Sequence, residues 1–85
     1  MHIELRFFAS VREALGFASE RIELPEDVTT VGAVRSHLVA RGGAWATALG
    51  QDRALRMAFN HVMCGPEAEL KDGGEVAFFP PVTGG

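Results

Sequence analysis

The sequence lacks a second cysteine. Cys64 stands alone, so no internal disulfide is available, and a single thiol fits a reducing compartment. No apolar run approaches the roughly 20 residues of a membrane-spanning helix. Met1-His2-Ile3-Glu4 carries no basic stretch leading into an apolar one, which argues against a secretory signal. Basic charge is also short: eight Lys+Arg against eleven Asp+Glu leave a formal net charge of −3. A mildly acidic chain has no electrostatic reason to bind nucleic acid. Internal repeats and low-complexity tracts are absent. The expectation is therefore a cytoplasmic protein without membrane or nucleic-acid partners.

What is there suffices for one small domain. Eighty-five residues, 47% hydrophobic and 22% charged, hold one core and not two. From His2 to Phe8 the residues alternate. Ile3, Leu5 and Phe7 share one face, and His2, Glu4, Arg6 and Phe8 the other, the period of a half-buried strand. Ser10 and Glu13 have capping-box spacing and predict a short helix that stops at Gly16. Glu20 to Leu24 alternates again, with Ile22 and Leu24 inward and Pro25 closing the strand. Thr29-Thr30 offers a hydroxyl cap, and Val31, Val34 and Leu38 form the apolar stripe of the main helix. Arg35 and Arg41 are expected off that stripe, and Gly42-Gly43 past its end. Ala44 to Leu49 predicts a further helical turn or two.

Leu55, Met57 and Phe59 alternate into a third strand, Val62-Met63-Cys64 returns, and Gly65-Pro66 turns away. After the Leu70 to Gly74 turn, the last strand runs from Glu75 to Phe79, with Val76 and Phe78 inward and Ala77 and Phe79 outward. One long helix among such strands implies an α+β roll, a mixed sheet covered on one face.

Catalytic constellations are scarce. His61-x-x-Cys64 has ligand-like spacing, but His2 and His37 are the other histidines and neither is placed near it, so a structural metal lacks a second pair. No serine sits in a nucleophile elbow, and the paired glycines lack the neighbours that make a phosphate loop. Two features remain. Phe8 and Phe79, joined by Met63, put large apolar side chains on the polar side of the strands, a candidate partner surface. The second is Pro80-Pro81-Val82-Thr83-Gly84-Gly85. Two prolines stop the sheet and stiffen the exit, and six residues reach about 18–21 Å when extended. Without Cβ atoms, Gly84 and Gly85 pass through a narrow channel, and nothing beside the Gly85 carboxylate hinders attack once it is activated.

Taken together, Phe7-Phe8-Ala9-Ser10-Val11-Arg12-Glu13, Asn60, and the whole run Asp72 to Gly85 resemble the MoaD-type small subunits of molybdopterin synthase. These are ubiquitin-like sulfur carriers, and the similarity spans the chain, strongest over Glu75 to Gly85. The resemblance implies a β-grasp domain over residues 1–79 and a flexible tail over 80–85. It implies that an ubiquitin-activating-like adenylyltransferase uses ATP to convert Gly85 into an acyl-adenylate. A persulfide donor then leaves a thiocarboxylate there. The tail, with Gly84 as its slim approach and Pro80, Pro81, Val82 and Thr83 inserted in the large synthase subunit, would deliver sulfur to a cyclic pyranopterin phosphate. That synthase is typically a heterotetramer, its active site lies mainly in the large subunit, and the carrier itself binds no cofactor or metal. Phe8, Met63 and Phe79 match the family's docking surface. Gly74 departs from the family, where Asp is usual; losing that polar side chain is expected to loosen the turn slightly. Two other readings stay open: a carrier for another thiolation pathway or a protein modifier, and a non-covalent interaction module.

Overall fold

The computed structural model describes residues 1–81. The first and last strands meet at its centre. Strand β1 (His2–Phe7) runs parallel to β5 (Glu75–Phe79), with Leu5 opposite Val76 and Phe7 opposite Phe78. On its other side β1 pairs antiparallel with β2 (Ser19–Glu23), Ile3 opposite Ile22. Strand β3 (Arg56–Phe59) lies antiparallel to β5, and β4 (Val62–Cys64) closes the far edge. The sheet order is β2-β1-β5-β3-β4. Asn60 and His61, with φ of 49° and 68°, make the two-residue hairpin turn between β3 and β4.

One face of this sheet is covered. Ile3, Leu5, Phe7, Val76 and Phe78 form a single cluster with Val31, Val34 and Leu38 of α2 (Val31–Val39) and Leu49 of α3 (Ala44–Leu49). The inward parity of β1, β2 and β5 and the helical stripe are thus as the alternation predicts. Thr30 caps α2, its hydroxyl accepting from the Ala33 amide at 3.1 Å. Arg41 grips Glu20 with two hydrogen bonds, of 3.0 and 2.7 Å, and lies 4.5 Å over the Trp45 ring, closing the flank beside Phe7 and Phe17.

Three local expectations need correction. Helix α1 (Ala9–Leu15) does not start from Ser10. Its N-cap is Phe8, in extended conformation, with no side-chain capping bond. The Phe8 amide still donates to Phe78 O at 3.3 Å while its carbonyl receives the amides of Val11 and Arg12, so the strand itself sets where the helix begins. The helix stops at Gly16, φ 86°, as predicted.

Arg35 does not lie outside the core; it is only 8% exposed. Positions 31, 35 and 38 share one side of a helix, and here a charge is tolerated because three backbone carbonyls surround it. Gly74, finally, does not loosen its turn. Its amide donates to Lys71 O at 2.9 Å, and the space a side chain would use is filled by the Phe59 ring.

Candidate functional site

The uncovered face of the sheet divides into two halves. Toward β2 the outward side chains are polar and pair with each other: Arg21 lies 3.5 Å from Glu4, and the His2 ring 3.6 Å from Glu23. Such exposed pairs add little stability. Toward β4 the outward positions are mostly apolar, with Arg56 among them. Register places Met63 beside Ala58, Ala58 beside Ala77, and Phe79 beside Arg56.

Phe8 extends the row past the end of β1. Its ring meets Phe79 edge to face, centroids 6.3 Å apart. Phe8, Met63 and Phe79 surround an open concavity of about 460 Å³ floored by Ala58 and Ala77. The three residues singled out by parity are therefore brought to one place. Phe8 is 46% and Met63 57% exposed, well beyond what burial economy favours for such side chains.

Polar groups border one end of this hollow. The Glu75 carboxylate stands between Arg6 Nε at 3.4 Å and His61 Nε2 at 3.5 Å. The Asn60 side-chain oxygen accepts from the Glu75 backbone amide at 2.9 Å, and the Asn60 backbone amide donates to Glu75 O at 2.8 Å. Asn60 thus ties the hairpin that carries Met63 to the strand that carries Phe79. Small side chains at Ala58 and Ala77 make the floor. Their parity was visible in the sequence, but alanine gave no sign of a hollow. Val62, 67% exposed on the edge strand, was also not singled out.

Pro80 and Pro81 follow directly on β5, the strand that supplies Ala77 and Phe79 to this hollow. Pro80 forms one wall of a second, smaller cleft of about 130 Å³, which Ser10 and Val11 of α1 and Ala48, Arg53, Ala54 and Leu55 also line. Val82, Thr83, Gly84 and Gly85, expected to carry insertion and chemistry, lie outside the described residues.

Elsewhere the described residues bring no three His, Cys, Asp or Glu side chains into a metal-binding group. Cys64 is half-buried, and burial together with the charge of Glu67 pushes its thiol pKa up, against a smaller opposing hydrogen bond from the Phe59 backbone. A raised pKa lowers the thiolate fraction, the opposite of what a nucleophilic cysteine needs. Among the described residues no helix is long and apolar enough to cross a membrane. What this surface offers is an exposed apolar hollow of the kind that marks interaction sites.

Comparison with known proteins gives this arrangement its relatives. Residues 5–85 match the model of the ThiS family. The chain is 46% identical to the molybdopterin synthase sulfur carrier subunit of Escherichia coli and 43% to that of Haemophilus influenzae. Each alignment covers 98% of this chain and 99% of the relative. It is 37% identical, over the full length of both, to small archaeal modifier protein 3 of Haloferax volcanii.

Among solved structures, the solution structure of the Haloferax volcanii HVO 2177 protein superposes with a TM-score of 0.79 at 35% identity, covering 100% of this chain and 87% of that one. A chain in the complex of subunits 1 and 2 of molybdopterin-converting factor from Helicobacter pylori gives 0.68 at 26%, with full coverage of both. The fold and these likenesses converge: the chain belongs to the ThiS family of ubiquitin-like β-grasp proteins, among the molybdopterin synthase sulfur carrier subunits.

Proposed function

We propose that this chain carries sulfur on the carboxyl group of Gly85 for the synthesis of molybdopterin. The observation that supports this most is the apolar hollow of Phe8, Met63 and Phe79 on the strand from which the tail departs. A carrier needs two things of its fold: a surface recognised by successive partners, and a slim arm that enters their active sites. The hollow supplies the first. Pro80 and Pro81 give the arm a stiff start, and Gly84-Gly85 give it a narrow tip.

A carboxylate is inert toward nucleophiles until its oxygen becomes part of a good leaving group. An adenylyltransferase that uses ATP supplies this by forming the Gly85 acyl-adenylate. The terminal sulfur of a persulfide donor attacks the carbonyl carbon and AMP departs, leaving an acyl disulfide; a second thiol then attacks the donor's own sulfur, the S–S bond to the acyl sulfur breaks, and a thiocarboxylate and a disulfide are released. Docked on the large synthase subunit, the tail passes its sulfur to a cyclic pyranopterin phosphate. In this scheme the carrier contributes recognition, reach and the reacting carboxyl, and holds no cofactor of its own; ATP belongs to the activating enzyme. The cytoplasm, with its ATP and reduced thiols, is the compartment in which we place it, working in a heterotetramer of two small and two large subunits. The complex of subunits 1 and 2 from Helicobacter pylori supports a large subunit as partner.

Incubation with the activating enzyme, ATP and a sulfur donor, followed by intact-mass analysis, should give the mass increase of one oxygen replaced by sulfur, located at Gly85. Activation without any sulfur gain would overturn the proposal. The likeness to small archaeal modifier protein 3 favours one second reading, transfer of the activated tail to lysines of other proteins. Isopeptide adducts carrying the Gly85 carbonyl would identify it.

A further inference from the structure

The chain holds seven arginines and a single lysine, Lys71, and the fold sets that lysine apart from the root of the tail. Four of the arginines gather where β5 ends. Arg56 stands opposite Phe79 in the β3–β5 ladder, and Arg6 lines the apolar hollow together with Phe79. Arg53 lines the cleft that Pro80 walls, and Arg12 follows Ser10 and Val11, which line the same cleft from α1. All four are exposed. Lys71 lies at the other end of the strand. Its carbonyl accepts from the Gly74 amide at 2.9 Å, in the turn whose Gly73 amide donates to His2 O at 2.7 Å, beside the start of β1. The Met1 amino group is at that far end too, 3.4 Å from Leu24 O.

We propose that this segregation protects the activated tail: the end of the carrier from which the tail leaves takes its cationic side chains from arginine alone, and so offers no amine for the Gly85 carbonyl to acylate. The inference rests on the carrier reading above. An amine that attacks the acyl-adenylate forms a C–N bond as the C–O bond to AMP breaks, gives its proton to solvent, and leaves an amide that takes the carrier out of use. A lysine, with an ordinary pKa of about 10.4, is always in small part free amine, whereas a guanidinium in a protein is not deprotonated. Arginine still pairs with carboxylates and phosphates, so recognition loses nothing. Reach sharpens the contrast. Whatever path they take, six residues past Phe79 extend no more than about 21 Å. Arg56, directly opposite Phe79, is about 5 Å away between Cα atoms. Strand β5 alone spans about 13 Å from Glu75 to Phe79, and Lys71 lies beyond its far end. To meet Lys71 the tail must double back along the whole strand at full extension.

The test uses full-length carrier bearing a thioester at Gly85, prepared chemically so that no activating enzyme is needed. Attack by an internal amine expels the thiol and leaves a monomer lighter by one water than the hydrolysed carrier. Intact-mass analysis reads this product, and peptide mapping locates the link. Wild type is compared with Arg53→Lys, Arg56→Lys and Glu26→Lys. The last adds an exposed lysine just past β2, at the end where β1 starts. A short tether presents a group within its reach at about millimolar effective concentration. Arg53→Lys and Arg56→Lys should therefore each form the self-linked product about tenfold or more faster than wild type, and Glu26→Lys less than about twofold faster.

Self-linking at the wild-type rate in either arginine variant, or an equal rise in Glu26→Lys, would overturn the inference, as would ready self-linking of the wild type through Lys71. Circular dichroism checks the fold; should one arginine variant fail to fold, the other decides alone. A wild type that gains no sulfur in the enzymatic assay refutes the carrier reading instead, and the thioester comparison does not depend on that assay.

Discussion

Gly73 and Gly74 are neighbours in one turn, yet the fold requires glycine at each for a different reason, and the difference can be measured. Gly73 has φ 81° with nothing within 4 Å of where a Cβ would stand. Alanine there meets only backbone strain, about 1–2 kcal/mol for an L residue in the left-handed region. About 0.4–1 kcal/mol returns through the stiffer unfolded chain. The net cost is about 1 kcal/mol.

Gly74 has no positive φ, but a Cβ there would lie 2.6 Å from Phe59 Cε1 and 3.0 Å from Lys71 O. Alanine must displace a half-buried aromatic ring that packs on the core, an overpacking cost of about 1–3 kcal/mol. The two substitutions can thus look alike in one background, and Phe59→Leu separates them. A leucine lacks the outer ring atoms, so in that background the cost of Gly74→Ala should fall below about 0.5 kcal/mol while that of Gly73→Ala is unchanged. Urea titration reads this directly. With a slope near 1 kcal/mol/M for so small a domain, 1 kcal/mol displaces the midpoint by about 1 M. Equal costs of Gly74→Ala in both backgrounds would refute the steric account.

Other consequences concern the surface and the thiol. Phe79→Arg puts a charge at the edge of the docking hollow and should weaken binding to the large synthase subunit by about 1–3 kcal/mol, read by calorimetric titration; unchanged affinity would remove Phe79 from the interface. Deleting Gly84 and Gly85 should leave the melting temperature unchanged, since the core ends at Phe78, while abolishing sulfur loading in the intact-mass assay. Cys64 should react with iodoacetamide more slowly than a free thiol at pH 8, because folding raises its pKa. The sign for stability follows: the folded state favours the protonated thiol, so the contribution is present below the ordinary thiol range and lost as pH rises above it. Cys64→Ser should flatten that alkaline decline in a pH series of thermal melts.

How far the sequence was legible depends on which physical period carried the information. Strict alternation in β1, β2 and β5 disclosed both faces at once, so Phe8 and Phe79 stood out as apolar residues at polar positions. Strand β3 and the three-residue β4 were recoverable because a turn separated them, although the left-handed Asn60-His61 pair that makes the turn carried no glycine to announce it. Ser10 misled because a capping box is a local motif, and here a longer-range bond, Phe8 N to Phe78 O, settled where α1 starts. Arg35 was illegible for a related reason. Helical periodicity ranks positions by hydropathy, and no such ranking anticipates three carbonyls, 14 to 18 residues away in sequence, arriving around one guanidinium. Likewise Gly74 reads as a missing side chain until Phe59 is seen occupying its place.

The position of β5 in the sheet bears on how the tail withstands use. A tail attached to an edge strand could be peeled away one hydrogen bond at a time. Strand β5 is instead held by ladders on both sides, parallel to β1 and antiparallel to β3. A partner that draws the tail along the strand axis must break both ladders together, in shear. Successive partners can therefore pull the arm tight without unravelling the domain that recognises them. The three-residue β4, at one edge of the sheet, is where amide exchange should be fastest among the strands.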